Sequence, residues 1–256
     1  MTGGHAPRYR PPADLLRDRV VLVTGAGAGI GRAAALAYAR HGADVVLLGR
    51  TRAKLEAVFD RIVAETATKP VIVPADLATL DEAAADNLAE AIRDDYARLD
   101  GILHNASVLG PRVPVAHYPA AAWAEVMHVN AMAPVLLTRA LLPLLEAAPD
   151  ASIVFTSSGV GRVGRAYWGA YAVSKFATEG LSQTLADELE SAGRVRVNAL
   201  NPGGTRTAMR AAAYPAEDPA TLPEPQAHMD LYLYLMGPDS AGVTGRSIDA
   251  PAWRGP

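Results

Sequence analysis

The chain contains no cysteine among its 256 residues. Disulfide frameworks, thiolate metal sites and cysteine nucleophiles are excluded together. Lysine is nearly as scarce: Lys54, Lys69 and Lys175 stand alone, and arginine supplies the rest of 24 basic charges against 27 acidic ones. A net charge of −3 offers no field for a phosphate backbone, so nucleic acid is not an expected partner. No stretch approaches the ~20 unbroken apolar residues of a bilayer span. The basic N-terminus is not followed by the apolar core of a signal peptide, so the expectation is a cytoplasmic protein without a membrane partner. The six histidines lack the HxxxH spacing of a metal site, and no metal is expected.

What the chain does have is apolar residues, half of the total, gathered in short β-branched runs. These lie at residues 20–23, 45–48, 71–73, 101–103, 152–155 and 195–198. They are continuous rather than alternating, the pattern of strands covered on both faces. Alanine-rich stretches at 32–41 and 52–65 read as helices, the second with Thr51 as its N-cap. Strand, helix and strand at this pitch predict right-handed βαβ crossovers. The fold class is therefore α/β: a single-domain, doubly wound parallel sheet of Rossmann type, helices on both faces and ligands at the carboxyl edge. Residues 1–18, with Pro7, Pro11 and Pro12, are expected to run as a surface arm before a domain spanning 19–256. Residues 205–225, with Pro215, Pro219, Pro223 and Pro225, interrupt the rhythm at that edge and are expected to form a lid.

Thr24-Gly25-Ala26-Gly27-Ala28-Gly29-Ile30-Gly31 follows the first strand and opens a helix. Glycines there permit a tight turn and bring backbone N–H groups up to a pyrophosphate. The tip of the second strand reads Leu48-Gly49-Arg50-Thr51-Arg52, with no carboxylate to accept from a ribose 2′-OH. A guanidinium can instead fork onto a 2′-phosphate. NADP(H) is expected over NAD(H), with Arg50 as first contact and Arg52 as accessory.

Tyr171 and Lys175 are four residues apart in an expected helix, hence on one face. An ammonium near a phenol favours phenolate, and the spacing predicts a tyrosine whose pKa is lowered for acid/base work. Ser158, thirteen residues before Tyr171 and just past the fifth strand, can steady a carbonyl oxygen; Ser157 is its competitor. Asn130 precedes Pro134 by four residues within a helical stretch. The missing proline N–H frees the Asn130 carbonyl, predicting a kink and a seat for an ordered water.

In this order, Thr24-Gly25-x-x-x-Gly29-Ile30-Gly31, Asp76-Leu77, Asn105-Ala106, Asn130, Ser158, Tyr171-x-x-x-Lys175 and Asn201-Pro202-Gly203 ending at Thr207 resemble the short-chain dehydrogenase/reductase family. The likeness runs from Arg19 to Ile248. Residues 161–171 and 201–210 are similar to the bacterial YciK-type subgroup. The resemblance implies Tyr171 as acid/base and Ser158 as the group that orients the carbonyl. Lys175 would bind the nicotinamide ribose, and Asn130 would hold a relay water. It further implies a cofactor groove lined by Thr24, Gly25, Gly29, Ile30, Gly31, Asp76, Leu77, Asn105, Ala106, Pro202, Gly203 and Thr207. The implied activity is NADP(H)-dependent interconversion of a carbonyl and a secondary alcohol on a small molecule or a 3-oxoacyl thioester. A homodimer or homotetramer would form through the helices bearing Asn130 and Tyr171. A catalytically silent NADP-binding sensor or scaffold is the alternative. Arg112, Arg162, Arg165 and Arg210 lie where an anionic substrate could use them. Three departures stand out: Ser107 replaces the glycine of the usual Asn-Asn-Ala-Gly, Thr205 replaces an aliphatic residue, and the tail lacks a double glycine.

Overall fold

The computed structural model describes residues 9–256. Seven strands form one parallel sheet: β1 (Val20–Thr24), β2 (Asp44–Gly49), β3 (Val71–Pro74), β4 (Gly101–His104), β5 (Ala151–Thr156), β6 (Val195–Asn201) and β7 (Ser247–Asp249). Their order is β3-β2-β1-β4-β5-β6-β7, so the winding reverses between β1 and β4. Eight α-helices accompany them: α1 (Gly29–Arg40), α2 (Arg52–Glu65), α3 (Glu82–Tyr96), α4 (Ala120–Met127), α5 (Ala133–Glu146), α6 (Gly169–Glu190), α7 (Ala208–Ala213) and α8 (Met229–Met236).

Successive strand residues point to opposite faces, and both faces are buried. Val21, Val23, Val45 and Leu47 pack beneath α1, α2 and α8. Their neighbours Val20, Leu22, Val46 and Leu48 pack with Ala85 and Ile92 of α3 and with Leu137 and Leu141 of α5 on the other face. The six expected strands are present. The seventh, β7, is three residues long, two of them polar, too short for any apolar run to announce it.

Two local expectations need correction. Thr51 heads α2, yet its hydroxyl makes no capping hydrogen bond. The described part of the expected arm, residues 9–18, turns down onto the core; residues 1–8 lie outside the described residues. Leu15 and Leu16 are buried, and the Leu16 N–H donates to the His41 carbonyl at 2.9 Å. Leucines in a proline-rich segment still gain by leaving water.

The Asn130 region forms a π-helical turn, His128–Met132, that joins α4 to α5. The Ala133 N–H reaches back to the His128 carbonyl, and this wider turn accommodates Pro134, which has no N–H for the Asn130 carbonyl. The resulting helix, Ala120–Glu146, is long and apolar enough to cross a bilayer, but over half of its apolar window is buried inside the protein.

Leu16→Ala is expected to lower the unfolding free energy by about 2–5 kcal/mol in a denaturant titration, as for other fully buried leucines. A loss below about 0.5 kcal/mol would show that this segment lies on the surface after all.

Candidate active site

The site begins where the sheet reverses direction. The Thr24 hydroxyl, at the end of β1, accepts the N–H groups of Asn105 at 2.9 Å and Ala106 at 3.0 Å. The Asn105 side-chain amide returns a bond to the Thr24 carbonyl at 3.2 Å. The ends of β1 and β4 are thereby tied together. Gly25 and Gly29 adopt φ of +69° and +53°, values that favour glycine. A Cβ on Gly31 would stand 2.3 Å from the Gly25 carbonyl oxygen, so this turn tolerates no larger residue there. Ala28, at the N-cap of α1, offers no side chain to cap the helix, leaving its first N–H groups for an anion.

Two adjoining cavities open above this turn. The first, about 280 Å³, is lined by Gly25, Gly27, Arg50, Lys54, Asp76, Leu77 and Ala106. Arg50 is exposed at its edge and forms no ion pair among the described residues. Arg52 does not join it: its guanidinium pairs with Glu56 along α2 at 2.9 Å, and Lys54 takes the accessory place. A loop reading could not see this, because α2 turns Arg52 away from the cavity.

The second cavity, about 330 Å³, gathers Gly29, Ile30, Asn105, Ser158, Tyr171, Lys175, Pro202, Gly203 and Thr207. Thr24, Gly31 and Asn130 line neither cavity; they support the walls. The Asn130 side chain is fully engaged. Its Oδ1 accepts the Val108 N–H at 2.8 Å, while its Nδ2 donates to the Val108 carbonyl at 2.9 Å and the Ser174 hydroxyl at 3.0 Å. Loop 105–108 is thus pinned to α6 as well as to β1.

Tyr171 lies in the first turn of α6 and Lys175 one turn later. Lys175 Nζ donates to the Thr156 carbonyl at 2.8 Å and stands 5.6 Å from the Tyr171 ring centre. Burial pushes the Tyr171 pKa up to about 12, with the nearby hydroxyls of Ser158 and Ser107 pulling the other way. Burial also pushes Lys175 down to about 8, opposed by the Glu179 carboxylate. The expected lowering of the tyrosine by its lysine is therefore corrected. Both groups are desolvated, and burial is the largest cause of each shift.

Ser157 and Ser158 both line this cavity but differ in their bonding. The buried Ser157 hydroxyl donates to Glu179, whereas Ser158 is half-buried and makes no such bond to a carboxylate among the described residues. Glu179 also receives Ser247 and Arg162, and Arg162 continues to Asp249 at 2.7 Å. Arg210 forks onto Glu217 with both bonds at 2.6 Å. Arg165 is exposed and lines neither cavity. Arg112, expected with the other arginines near the substrate walls, instead stacks its guanidinium over Trp168 at 4.5 Å and Tyr214 at 5.1 Å and donates to the Ala213 carbonyl. Nothing in its own neighbourhood of sequence signals that stack, which joins three separate segments.

The three departures are accommodated. Ser107 is not among the residues with positive φ, so a side chain fits the backbone there. Thr205 is buried and bonded to His228 Nε2 at 3.0 Å. The tail without its double glycine enters the sheet as β7, where Asp249 receives Asn201 and Arg162.

A nucleotide cradle at the reversal point of a parallel sheet, with a serine, a tyrosine and a lysine beside it, defines a nicotinamide-dependent oxidoreductase scaffold. The chain belongs to the short-chain dehydrogenase/reductase family: residues 19–218 match the short chain dehydrogenase family profile. It is 54% identical to the Escherichia coli oxidoreductase YciK over 97% of this chain and 98% of that protein. A levodione reductase from Leifsonia aquatica is 31% identical over 77% of this chain and 73% of its own length. A short chain dehydrogenase from Shigella flexneri, solved in complex with NADP, superposes with a TM-score of 0.91 at 53% identity, covering 94% of this chain and all of that one. Another from Escherichia coli, in complex with NADPH, gives 0.91 at 54% identity over 94% and 99% of the two chains.

The Lys175 environment has a consequence for stability. Its pKa is about 8 in the folded protein against an ordinary 10.5, so between these values the unfolded chain holds the extra proton. Stability from this residue therefore rises with pH across that window. Denaturant titrations at the two ends of the window should show wild type gaining on Lys175→Met as pH rises. A constant difference between the two proteins would show that Lys175 titrates as it does in water.

Proposed function

We propose that this chain is an NADP(H)-dependent reductase, and in reverse a dehydrogenase, that interconverts a carbonyl and a secondary alcohol. The observation that carries this reading is the single cavity into which Ser158, Tyr171 and Lys175 all open beside the glycine turn. Relatives crystallised with NADP and NADPH support the choice of cofactor, as do the cationic Arg50 and Lys54 at the end of β2. Arg50 and Lys54 would take the 2′-phosphate, the glycine turn and the first N–H groups of α1 the pyrophosphate, and Asp76 and Leu77 the adenine side. When bound, NADPH supplies hydride to the carbonyl carbon.

Tyr171 supplies the proton. A phenol held neutral by burial is the form that reduction needs, since it must donate to the carbonyl oxygen as charge develops there. Ser158 donates a hydrogen bond to the same oxygen and fixes its place. Lys175 sits deeper, against the Thr156 carbonyl, where its ammonium favours the phenolate that remains and reaches toward the nicotinamide ribose. Asn130 keeps loop 105–108 in register, and its place in the π turn suits the relay water implied by the family.

Leu109, Trp168, Met209 and Ala213 form the substrate walls. Arg162 and Arg210 spend their charge on internal carboxylates, so the walls favour an uncharged ketone or the acyl part of a 3-oxoacyl thioester over an anion. We read segment 205–225 as the lid, with the Arg112 stack against Trp168 and Tyr214 as its latch. Met132 and Val135 near the start of α5, and Val173 and Phe176 of α6, are exposed and apolar, which supports self-association through these helices.

Tyr171→Phe should reduce NADPH-dependent turnover by about 100-fold to 10,000-fold while leaving NADPH binding by fluorescence unchanged. Turnover at the wild-type rate would refute the proton-donor role. Arg50→Ala should weaken NADPH more than NADH by about 1–3 kcal/mol in binding titrations. Equal losses for both nucleotides would place the 2′-phosphate elsewhere.

A further inference from the structure

The loop after β4 carries a serine where the family pattern has glycine. Ser107 Oγ is shut off from solvent and makes no hydrogen bond among the described residues. A buried hydroxyl left without a partner is costly, and such groups mark strain or function. This one is not loosely placed. On one side, the Ala106 N–H is held by the Thr24 hydroxyl at 3.0 Å. On the other, the Val108 N–H and carbonyl are both held by the Asn130 amide, at 2.8 and 2.9 Å. Ser107 sits between these two pins and lines both cavities, in the second together with Ser158 and Tyr171.

We propose that Ser107 is a positioning residue for Tyr171, its O–H donating to Tyr171 Oη once the phenol has released its proton. This rests on the reading of Tyr171 as the acid/base. In the reductive step the Tyr171 O–H bond breaks and the proton passes to the substrate oxygen. Ser107 keeps its own proton and turns it toward the new phenolate. The orphan hydroxyl thus gains its strong, charge-assisted bond when the phenolate forms, and so stabilises phenolate over phenol. Tyr171 then has two hydroxyl donors: Ser158 from the β5 side, shared with the substrate, and Ser107 from the β4 side. In a site where burial drives the tyrosine upward, the second donor eases the reverse reaction, which needs phenolate as base.

The charged groups around this pair come from several elements. Lys175 lies one turn along α6, and Glu179 a turn beyond it acts on Lys175. Arg112 stacks on Trp168, Arg210 of α7 is paired with Glu217, and Glu125 of α4 lines the first cavity with Ser107. None of them replaces a neutral donor at the phenolate, and Ser107→Ala leaves all of them in place.

The test is the ionisation midpoint of Tyr171 in the NADP⁺ complex, read as the phenolate absorbance difference between each protein and its Tyr171→Phe counterpart. Ser107→Ala and Ser107→Gly should raise that midpoint by about one pH unit, and Ser107→Thr, which keeps the hydroxyl, should stay with wild type. The rising limb of kcat/KM for alcohol oxidation should move with the midpoint while KM for NADP⁺ holds. Unmoved midpoints in both Ser107→Ala and Ser107→Gly would overturn the assignment. Equal shifts in all three variants would also overturn it, because packing and not the hydroxyl would then be responsible. A wild type that shows these shifts but reduces no carbonyl would contradict the proposed reaction and leave the Ser107 contact standing.

Discussion

One hydroxyl holds the two halves of the site together. The sheet winds one way from β1 through β2 to β3 and the other way from β4 onward, so a crevice opens between the ends of β1 and β4. The Thr24 hydroxyl spans that crevice by accepting two consecutive backbone N–H groups from the β4 loop. On its β1 side stands the glycine turn; on its β4 side stands the loop that reaches Asn130 and α6. A nucleotide lying across the crevice and a tyrosine rising from α6 can share one cavity because this bond fixes their distance.

The second constraint is desolvation. Tyr171 and Lys175 are both buried, and each is pushed toward its neutral form. The glutamate that opposes this for Lys175 is itself held by Ser157, Ser247 and Arg162. Polar residues that pack around Lys175 thus bear on its charge. For the tyrosine, the hydroxyls of Ser158 and Ser107 oppose the push toward neutrality.

How much of this could be read beforehand follows from the range of each interaction. The six long strands were legible because a parallel sheet buries both faces and leaves an unbroken apolar run. β7 was not, since three residues held by β6 need no such run. That the glycine turn, Arg50, Ser158, Tyr171 and Lys175 lie along the two cavities was legible because each placement depends on local geometry or fixed spacing. Arg52 was misplaced since helix phase, not nearness in sequence, decides whether a side chain meets the cavity. The Tyr171 pKa was misjudged for a related reason: a pair spacing reveals the neighbouring charge but not the depth of burial. Leu15 and Leu16 pack on the core despite the prolines around them, and the Leu15 side chain meets Gly237, more than two hundred residues away, where no local pattern announces it.

In the proposed reaction Tyr171 and Ser158 together address the oxygen of a carbonyl held beside the cofactor. A crystal structure of the protein with NADP⁺ and a bound secondary alcohol tests it most directly. Both side-chain oxygens should lie within about 2.6–3.2 Å of the alcohol oxygen. An alcohol oxygen bonded to neither, with the Tyr171 hydroxyl directed away from the nicotinamide, would contradict it.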